Sequence, residues 1–193
     1  MKKLILVLVL LATLVLALAS CGGSKIHHVE MTFEGFGTVT IELYGEDAPI
    51  TVKNFIDLAK SGYYNGTKII RMQKNFVLQG GSGSGTSSIK GEFKQNGVDN
   101  TIAHKRGVLS MARSGGMDSA SDQFFICLSD NAGASLDGRY AAFGQITEGM
   151  EVIDAIVASF DSDDFIDNAY YGGVMGFLKQ TSYVKISSVK VID

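Results

Sequence analysis

Short apolar segments separated by glycine-rich turns recur along the chain and constrain its fold more than any other feature. Thr38 to Leu43 alternates strictly between polar and apolar residues, which is typical of a strand with one buried face. Further strands are predicted at 69–72, 76–79, 108–112, 124–128, 141–146 and 184–191. The 23 glycines supply the turns that such a chain needs. The pattern predicts about eight strands in a single domain.

Two segments have the period of a helix instead. Apolar residues at the spacing i, i+3, i+4 and i+7 from Val52 predict a helix after Pro49, with Thr51 as its N-cap. A second helix is predicted over residues 150–158. We therefore expect a mainly β fold, a closed eight-stranded β-barrel with two capping α-helices.

The first 20 residues have the composition of an export signal. Lys2 and Lys3 precede an apolar run from Leu4 to Leu18, which is shorter than the roughly 20 residues of a membrane-spanning helix. The sequence Leu-Ala-Ser-Cys that ends at Cys21 resembles a bacterial lipoprotein signal, in which the cysteine thiol receives a diacylglycerol group. We expect a signal peptide at 1–20, an acylated cysteine and short tether at 21–28, and a folded domain at 29–193.

This interpretation places the protein at the cell membrane, lipid-anchored and facing outside the cytoplasm. Two or three acyl chains hold a protein stably, whereas one chain is marginal. Two alternatives stay open: an uncleaved membrane anchor, and an ordinary signal that Cys21 follows by coincidence. Cys127 lies within an apolar strand, and we expect it to be a buried, inert thiol.

Several kinds of chemistry find no support. A net charge of -3 argues against nucleic-acid binding. The segment Gly81–Gly85 has glycine where a nucleophile elbow has serine, and no lysine of a phosphate-binding loop follows it. His27 and His28 are adjacent and His104 is isolated, so no metal site is predicted. The acidic segment 161–164 lacks the glycine of a calcium loop. We expect neither a metal nor a cofactor.

Three segments in order carry a family resemblance. Residues 69–81 read Ile-Ile-Arg-Met-Gln-Lys-Asn-Phe-Val-Leu-Gln-Gly-Gly. Residues 107–112 read Gly-Val-Leu-Ser-Met-Ala, and residues 121–126 read Ser-Asp-Gln-Phe-Phe-Ile. Residues 136–144 read Leu-Asp-Gly-Arg-Tyr-Ala-Ala-Phe-Gly. Together they resemble the cyclophilin family of peptidyl-prolyl cis–trans isomerases, and the likeness runs from about Met31 to Asp193.

The resemblance implies an enzyme that accelerates rotation about X–Pro bonds in exported or surface proteins and assists their folding. Its partners would be proline-containing polypeptides, with no nucleic acid, and it would be a monomer. No covalent bond changes in this reaction, which fits the expectation that no metal or cofactor is needed. The resemblance assigns catalytic roles to Arg71, Phe76, Gln79 and Phe125. It assigns substrate contacts to Val77, Ala112, Arg113, Gln123, Leu136 and Tyr140.

The chain departs from the family pattern at five places, one of which is Lys74-Asn75 in place of Pro-Gly. Ile70 and Tyr140 stand where histidine is common, Arg113 where asparagine is common, and Ser135 where many members have tryptophan. Two alternatives therefore stay open. The same barrel could be a non-catalytic module or chaperone that binds proline segments, or it could carry a small apolar ligand.

Overall fold

The computed structural model describes residues 26–83, 85–166 and 176–193. Within these residues there are nine β-strands and three α-helices. The strands are β1 (Ile26–Phe33), β2 (Gly37–Tyr44), β3 (Lys68–Gln73), β4 (Val77–Gly81), β5 (Val108–Met111), β6 (Phe124–Cys127), β7 (Ala142–Glu148), β8 (Gly176–Phe177) and β9 (Val184–Val191). The helices are α1 (Pro49–Lys60), α2 (Gly133–Leu136) and α3 (Met150–Ala158). None of the helices in the described ranges is both long enough and apolar enough to cross a membrane.

Eight of the strands form a closed antiparallel barrel. Their order is β4-β6-β5-β7-β2-β1-β9-β3, and β3 pairs with β4 to close the ring. The two-residue strand β8 pairs with β3 beside this ring. The predicted mainly β fold with a closed eight-stranded barrel is confirmed, and the two predicted helices are α1 and α3. Helix α2 is an additional single turn of four residues.

The barrel interior is filled by the inward faces of the strands and by one face of α1. The alternation predicted for β2 is confirmed, because Val39, Ile41 and Leu43 are all fully buried. Phe55 of α1 packs its ring against Phe143 of β7, with the ring centroids 5.2 Å apart. We call this set of residues the inner cluster; its fully buried aromatic members are Phe33, Phe55, Tyr64, Phe93, Phe124 and Phe143.

The prediction that Thr51 caps helix α1 is wrong. The helix begins at Pro49, whose fixed φ suits a first turn, and its N-cap is Ala48. The carboxylate of Glu92 accepts hydrogen bonds from the N–H groups of Ile50 and Thr51, at 2.9 and 2.7 Å. A carboxylate from a distant part of the chain thus satisfies two N–H groups of the first helical turn, in place of a capping side chain at Ala48.

The first strand starts inside the range expected to be a tether. Strand β1 begins at Ile26, three residues before the predicted domain boundary at 29. The carboxylate of Asp193 accepts a hydrogen bond from the backbone N–H of His28 at 2.6 Å and contacts Nδ1 of His27 at 2.7 Å. These partners are about 165 residues apart in sequence, so no local pattern reveals the pairing. Residues 1–25, which include Cys21 and the predicted signal peptide, lie outside the described residues.

Candidate active site

A groove of about 540 Å³ lies on the outside of the barrel wall, along strands β3 to β6. All ten side chains that the sequence assigned to a site line it, namely Arg71, Phe76, Val77, Gln79, Ala112, Arg113, Gln123, Phe125, Leu136 and Tyr140. Six further residues complete the described lining, namely Gly83, Ser114, Ser119, Ser121, Ser135 and Phe177. The structure therefore brings the predicted residues together, while the role of each one stays a prediction.

A β-bulge turns Arg71 toward the groove. Ile69 pairs with Gly80 on β4, whereas Arg71 pairs with Gln79, so Ile70 is an extra residue on β3. Residues two apart on a regular strand face the same side, yet Ile69 is fully buried in the inner cluster and Arg71 lines the groove. The bulge at Ile70 produces this change of face, which is a common use of bulges beside functional sites.

A line of hydrogen bonds crosses the groove from Arg71. Its Nη1 donates to Oε1 of Gln79 at 2.8 Å, and Nε2 of Gln79 donates to Oε1 of Gln123 at 3.0 Å. Both bonds run in the same sense, so each amide orients the next. The guanidinium is therefore held in one place by a partner on the neighbouring strand.

The floor of the groove is apolar. We call it the outer cluster; its buried members are Val77, Val108, Phe125, Cys127, Ala132, Leu136 and Ala142, with Phe76, Ile102, Ala112 and Tyr140 packed against them. Phe125 is only 4% exposed, and its ring meets that of Tyr140 edge-on at 5.7 Å. Phe124, one residue earlier, belongs to the inner cluster. Adjacent residues of β6 thus serve opposite sides of the barrel wall.

A buried polar group lies beneath Phe125. The ring of His104 stacks on the ring of Phe125, with centroids 6.0 Å apart. Its Nε2 is 2.9 Å from Oγ of Ser110, and its Nδ1 is 2.8 Å from Oδ1 of Asp137. Burial lowers the pKa of His104, and the neighbouring Asp137 only partly opposes this effect. His104 is therefore neutral at pH 7. Its ring supports the ring of Phe125 on the side away from the groove.

His104 looked isolated in the sequence because its partner Asp137 lies 33 residues away. Burial works to raise the pKa of Asp137, but hydrogen bonds from the backbone and ring of His104 outweigh it and leave that pKa lowered. The segment 136–144 that carries the family resemblance contains Asp137, and this was the only sequence feature pointing toward the pair.

Neither thiol nor metal chemistry has a site in the described part of the chain. Cys127 is fully buried, and burial raises the pKa of its thiol to about 12, with Asp137 adding to the shift. A protonated, inaccessible thiol is unreactive, in line with the expectation of an inert cysteine. Among the described residues, no group of three or more His, Cys, Asp or Glu is placed to hold a metal ion.

The Gly/Ser-rich segment after β4 is anchored as a loop and forms one end of the groove. Asp122 is fully buried, and its Oδ2 accepts the N–H groups of Ser82 and Gly83 at 2.8 and 2.7 Å. At Gly83 a Cβ atom would lie only 2.5 Å from Nε2 of Gln123. Glycine at this position therefore lets the loop approach the line of hydrogen bonds from Arg71.

Phe177 is a lining residue that sequence reasoning missed. It lies on β8, where it pairs with Arg71 on the side opposite Gln79, and it is 42% exposed. A strand of two residues has no periodic pattern, so the sequence offers no indication of it.

Residues 28–189 match the sequence model of the family described as cyclophilin type peptidyl-prolyl cis-trans isomerase/CLD. The chain is 38% identical over 160 residues to a peptidyl-prolyl cis-trans isomerase of Acinetobacter baylyi, covering 80% of each chain. It belongs to the cyclophilin family.

Other relatives and solved structures agree with this assignment. A peptidyl-prolyl cis-trans isomerase of Helicobacter pylori is 43% identical over 124 residues, covering 62% of this chain and 74% of the relative. The crystal structure of a Cryptosporidium parvum cyclophilin type isomerase superposes with a TM-score of 0.67 at 23% identity, covering 87% of this chain and 98% of that one. At that identity the superposition shows the shared fold alone.

The family assignment confirms two predictions about this cyclophilin. It is an enzyme of the peptidyl-prolyl cis–trans isomerase class, and its substrate class is the proline-containing peptide. The lipid anchor, the exported substrates, the monomeric state and the residue roles are finer statements, and they stay predictions.

Proposed function

We propose that this cyclophilin accelerates X–Pro rotation in exported or surface proteins while a lipid on Cys21 holds it at the outer face of the cell membrane. The catalytic part is carried by one observation. Arg71 is fixed by Gln79 in the same groove whose floor is built around Phe125. A cation held beside an apolar floor is the arrangement that this reaction needs.

The reaction needs no nucleophile. Rotating a peptide bond costs about 18–20 kcal/mol because amide resonance is lost in the twisted state. In that state the prolyl nitrogen regains its lone pair, and a group that favours this state over both planar forms lowers the barrier. The Arg71 guanidinium can donate to that nitrogen or hold the substrate carbonyl oxygen. Both roles place positive charge where electron density changes during rotation.

The rest of the groove supplies position and environment. The proline ring would rest on the floor near Phe76, Phe125 and Leu136, where little water reaches it. Exclusion of water strengthens the field of the guanidinium. Gln79 and Gln123 would orient the peptide backbone as well as the arginine, because their amides already form one hydrogen-bonded line.

The test is an NMR exchange assay on an X–Pro peptide with the full chain in detergent. Arg71→Ala should lower kcat/KM about 100-fold, the scale seen when one preorganised donor is removed from a site. Arg71→Lys should also be poor, since lysine lacks the planar fork. Lys53→Gln is the control, because Lys53 is 76% exposed on α1 and does not line the groove.

Two outcomes would contradict the catalytic proposal. An unchanged rate for Arg71→Ala would remove the arginine from the mechanism. A wild-type chain that binds X–Pro peptides without accelerating exchange would be the non-catalytic binding module instead.

The membrane part rests on the sequence of residues 1–21. Labelled palmitate should enter the wild-type chain, and the label and the membrane association should both be lost in Cys21→Ser. Retention of Cys21→Ser in the membrane fraction at full length would favour the uncleaved anchor. Release of the wild-type chain without label would favour an ordinary signal. Sedimentation of the same sample tests the predicted monomer.

A further inference from the structure

Arg113 is a second cation in the groove. We propose that Arg113 makes this cyclophilin selective for X–Pro segments that carry an Asp or Glu within about three residues of the proline. The inference rests on the proposed function, because it describes which substrates the same groove prefers.

The guanidinium of Arg113 is fixed on two sides. Its central carbon lies over the ring of Tyr140 at 4.8 Å and over the ring of Phe93 at 5.2 Å. Its Nε–H donates to the carbonyl oxygen of Arg139 at 2.9 Å, and its Nη1 donates to the carbonyl oxygen of Ser114 at 3.0 Å. Stacking and hydrogen bonding together hold its plane in one orientation.

Most of its hydrogen-bonding capacity is unused. A guanidinium has five N–H groups, and these two bonds account for two of them. In the described ranges the other three have no hydrogen-bond partner, and none of the salt bridges there involves Arg113. Because the Arg113 guanidinium is already ordered, it can bind a carboxylate with little further loss of side-chain entropy.

The charge of the groove is opposite to that of the chain. The whole chain has a net charge of -3, yet Arg71 and Arg113 are the only charged residues in the described lining. The groove is therefore a small cationic region on an acidic protein. Such a region attracts anionic groups and rejects substrates with a Lys or Arg at the same place.

The position of Arg113 sets where the substrate carboxylate must lie. Arg113 contacts Tyr140, and the Tyr140 ring contacts the ring of Phe125 at 5.7 Å on the floor. An extended chain advances about 3.3 Å per residue. A carboxylate at Arg113 would thus belong to a residue about two or three positions from the proline on the floor.

The experiment uses peptides with one glutamate at each of the three positions before and after the proline, each compared with its glutamine counterpart. Exchange is measured by NMR with the full wild-type chain, Arg113→Gln and Arg113→Lys. We expect glutamate to raise kcat/KM about threefold to tenfold at one or two adjacent positions, as suits a partly exposed charge-assisted pair. The preference should fall as salt is raised toward 1 M.

Two Arg113 variants and one control show whether the preference for glutamate depends on Arg113. Arg113→Gln should lose the preference, and Arg113→Lys should keep part of it because the charge remains. Lys53→Gln removes one positive charge outside the groove and should keep the full preference. Wild type alone already tests the preference and its salt dependence, so a poorly folding Arg113 variant does not block the experiment.

The outcomes separate this inference from the proposed function. If no peptide is accelerated by wild type, the proposed function fails. If all peptides are accelerated and glutamate never differs from glutamine, only the selectivity of Arg113 is refuted. A preference that survives in Arg113→Gln, or that Lys53→Gln removes equally, would also overturn it.

Discussion

The inner and outer clusters take residues from opposite faces of strands β4 to β7, yet they differ in what surrounds them. Along β6, Phe124 and Ile126 point into the barrel, whereas Phe125 and Cys127 point out to the floor of the groove. The inner cluster is enclosed by the strands, by α1 and by α3, whose Ile153 and Ile156 belong to it. The outer cluster has the barrel wall on one side and the groove on the other.

The two clusters also differ in how they are held. Inside, Phe55 meets the rings of Tyr64, Phe124 and Phe143 at 4.8, 5.9 and 5.2 Å. Outside, Phe125 rests on a hydrogen-bonded histidine and faces the groove. From this difference we expect one wall to carry stability on its inner face and peptide binding on its outer face. Substitutions on the two faces should therefore separate the two properties.

The largest expected effect comes from truncating neighbouring phenylalanines of β6. Phe124→Ala should lower the free energy of unfolding by about 4 kcal/mol, because a closed cavity remains in the barrel. Phe125→Ala should lower it by only about 2 kcal/mol, because its space opens into the groove and the cavity term is lost. Urea denaturation measures both values.

Activity should show the reverse order. Phe125→Ala should lose most of its X–Pro exchange activity under conditions where it is folded, since the floor for the proline is gone. Phe124→Ala, assayed well below its midpoint of denaturation, should keep more activity. Equal losses of stability and activity in both variants would mean that the two clusters act as a single core.

The second prediction concerns the polar group under the floor. His104→Leu should lower the free energy of unfolding by about 2 kcal/mol, because Oγ of Ser110 is left buried without its partner. His104→Gln can keep a hydrogen bond and should lose less. If both variants are as stable as wild type, the histidine does not brace the outer cluster.

The same histidine predicts a pH dependence with a definite sign. Burial lowers the pKa of His104 in the folded chain, whereas the unfolded chain keeps a value of about 6.5. As pH falls below about 6.5, His104 is protonated in the unfolded state but stays neutral in the folded state, so the free energy of unfolding falls. In His104→Gln the midpoint of denaturation should therefore change less with pH between about pH 7.5 and 5.5 than it does in wild type. The lowered pKa of Asp137 acts only in more acidic solution, where its stabilisation is lost as the carboxylate is protonated.

The elements with a repeating pattern could be predicted from the sequence. Strand β2 and helix α1 have clear periods, and the structure buries the faces that those periods indicate. The groove residues could be predicted because the resemblance covers three segments, which the barrel then brings to one side. The alternation of β6 shows that Phe124 and Phe125 must face opposite sides of the wall. Only the resemblance indicates that Phe125 is the one that faces the groove.

The features that could not be predicted depend on distant partners or on single residues. Strand β1 begins at Ile26 and continues through two polar residues, His27 and His28, which the remote Asp193 contacts. The bulge at Ile70 is not visible in the sequence pattern, because Ile69 and Ile70 are equally apolar. Glu92 reaches helix α1 from another segment. Local patterns report which face a residue prefers, but they do not report which remote group will satisfy it.

The smallest expected effect tests the Gly/Ser-rich end of the groove with a matched pair of glycines. Gly83 and Gly85 have φ angles of +73° and +85°, so alanine at either position should cost about 1 kcal/mol of backbone strain. Only at Gly83 does a Cβ atom meet the amide of Gln123; at Gly85 nothing lies within 4 Å. Both variants should therefore lose similar stability in thermal denaturation.

Peptide exchange should then distinguish them. In Gly83→Ala the amide of Gln123 must move, which disturbs its bond to Gln79 and through it the hold on Arg71. We expect a lower kcat/KM for Gly83→Ala and a wild-type value for Gly85→Ala. Equal activity of the two variants would show that the line of hydrogen bonds tolerates displacement at its far end. Gln79 would then orient Arg71 without a contribution from Gln123.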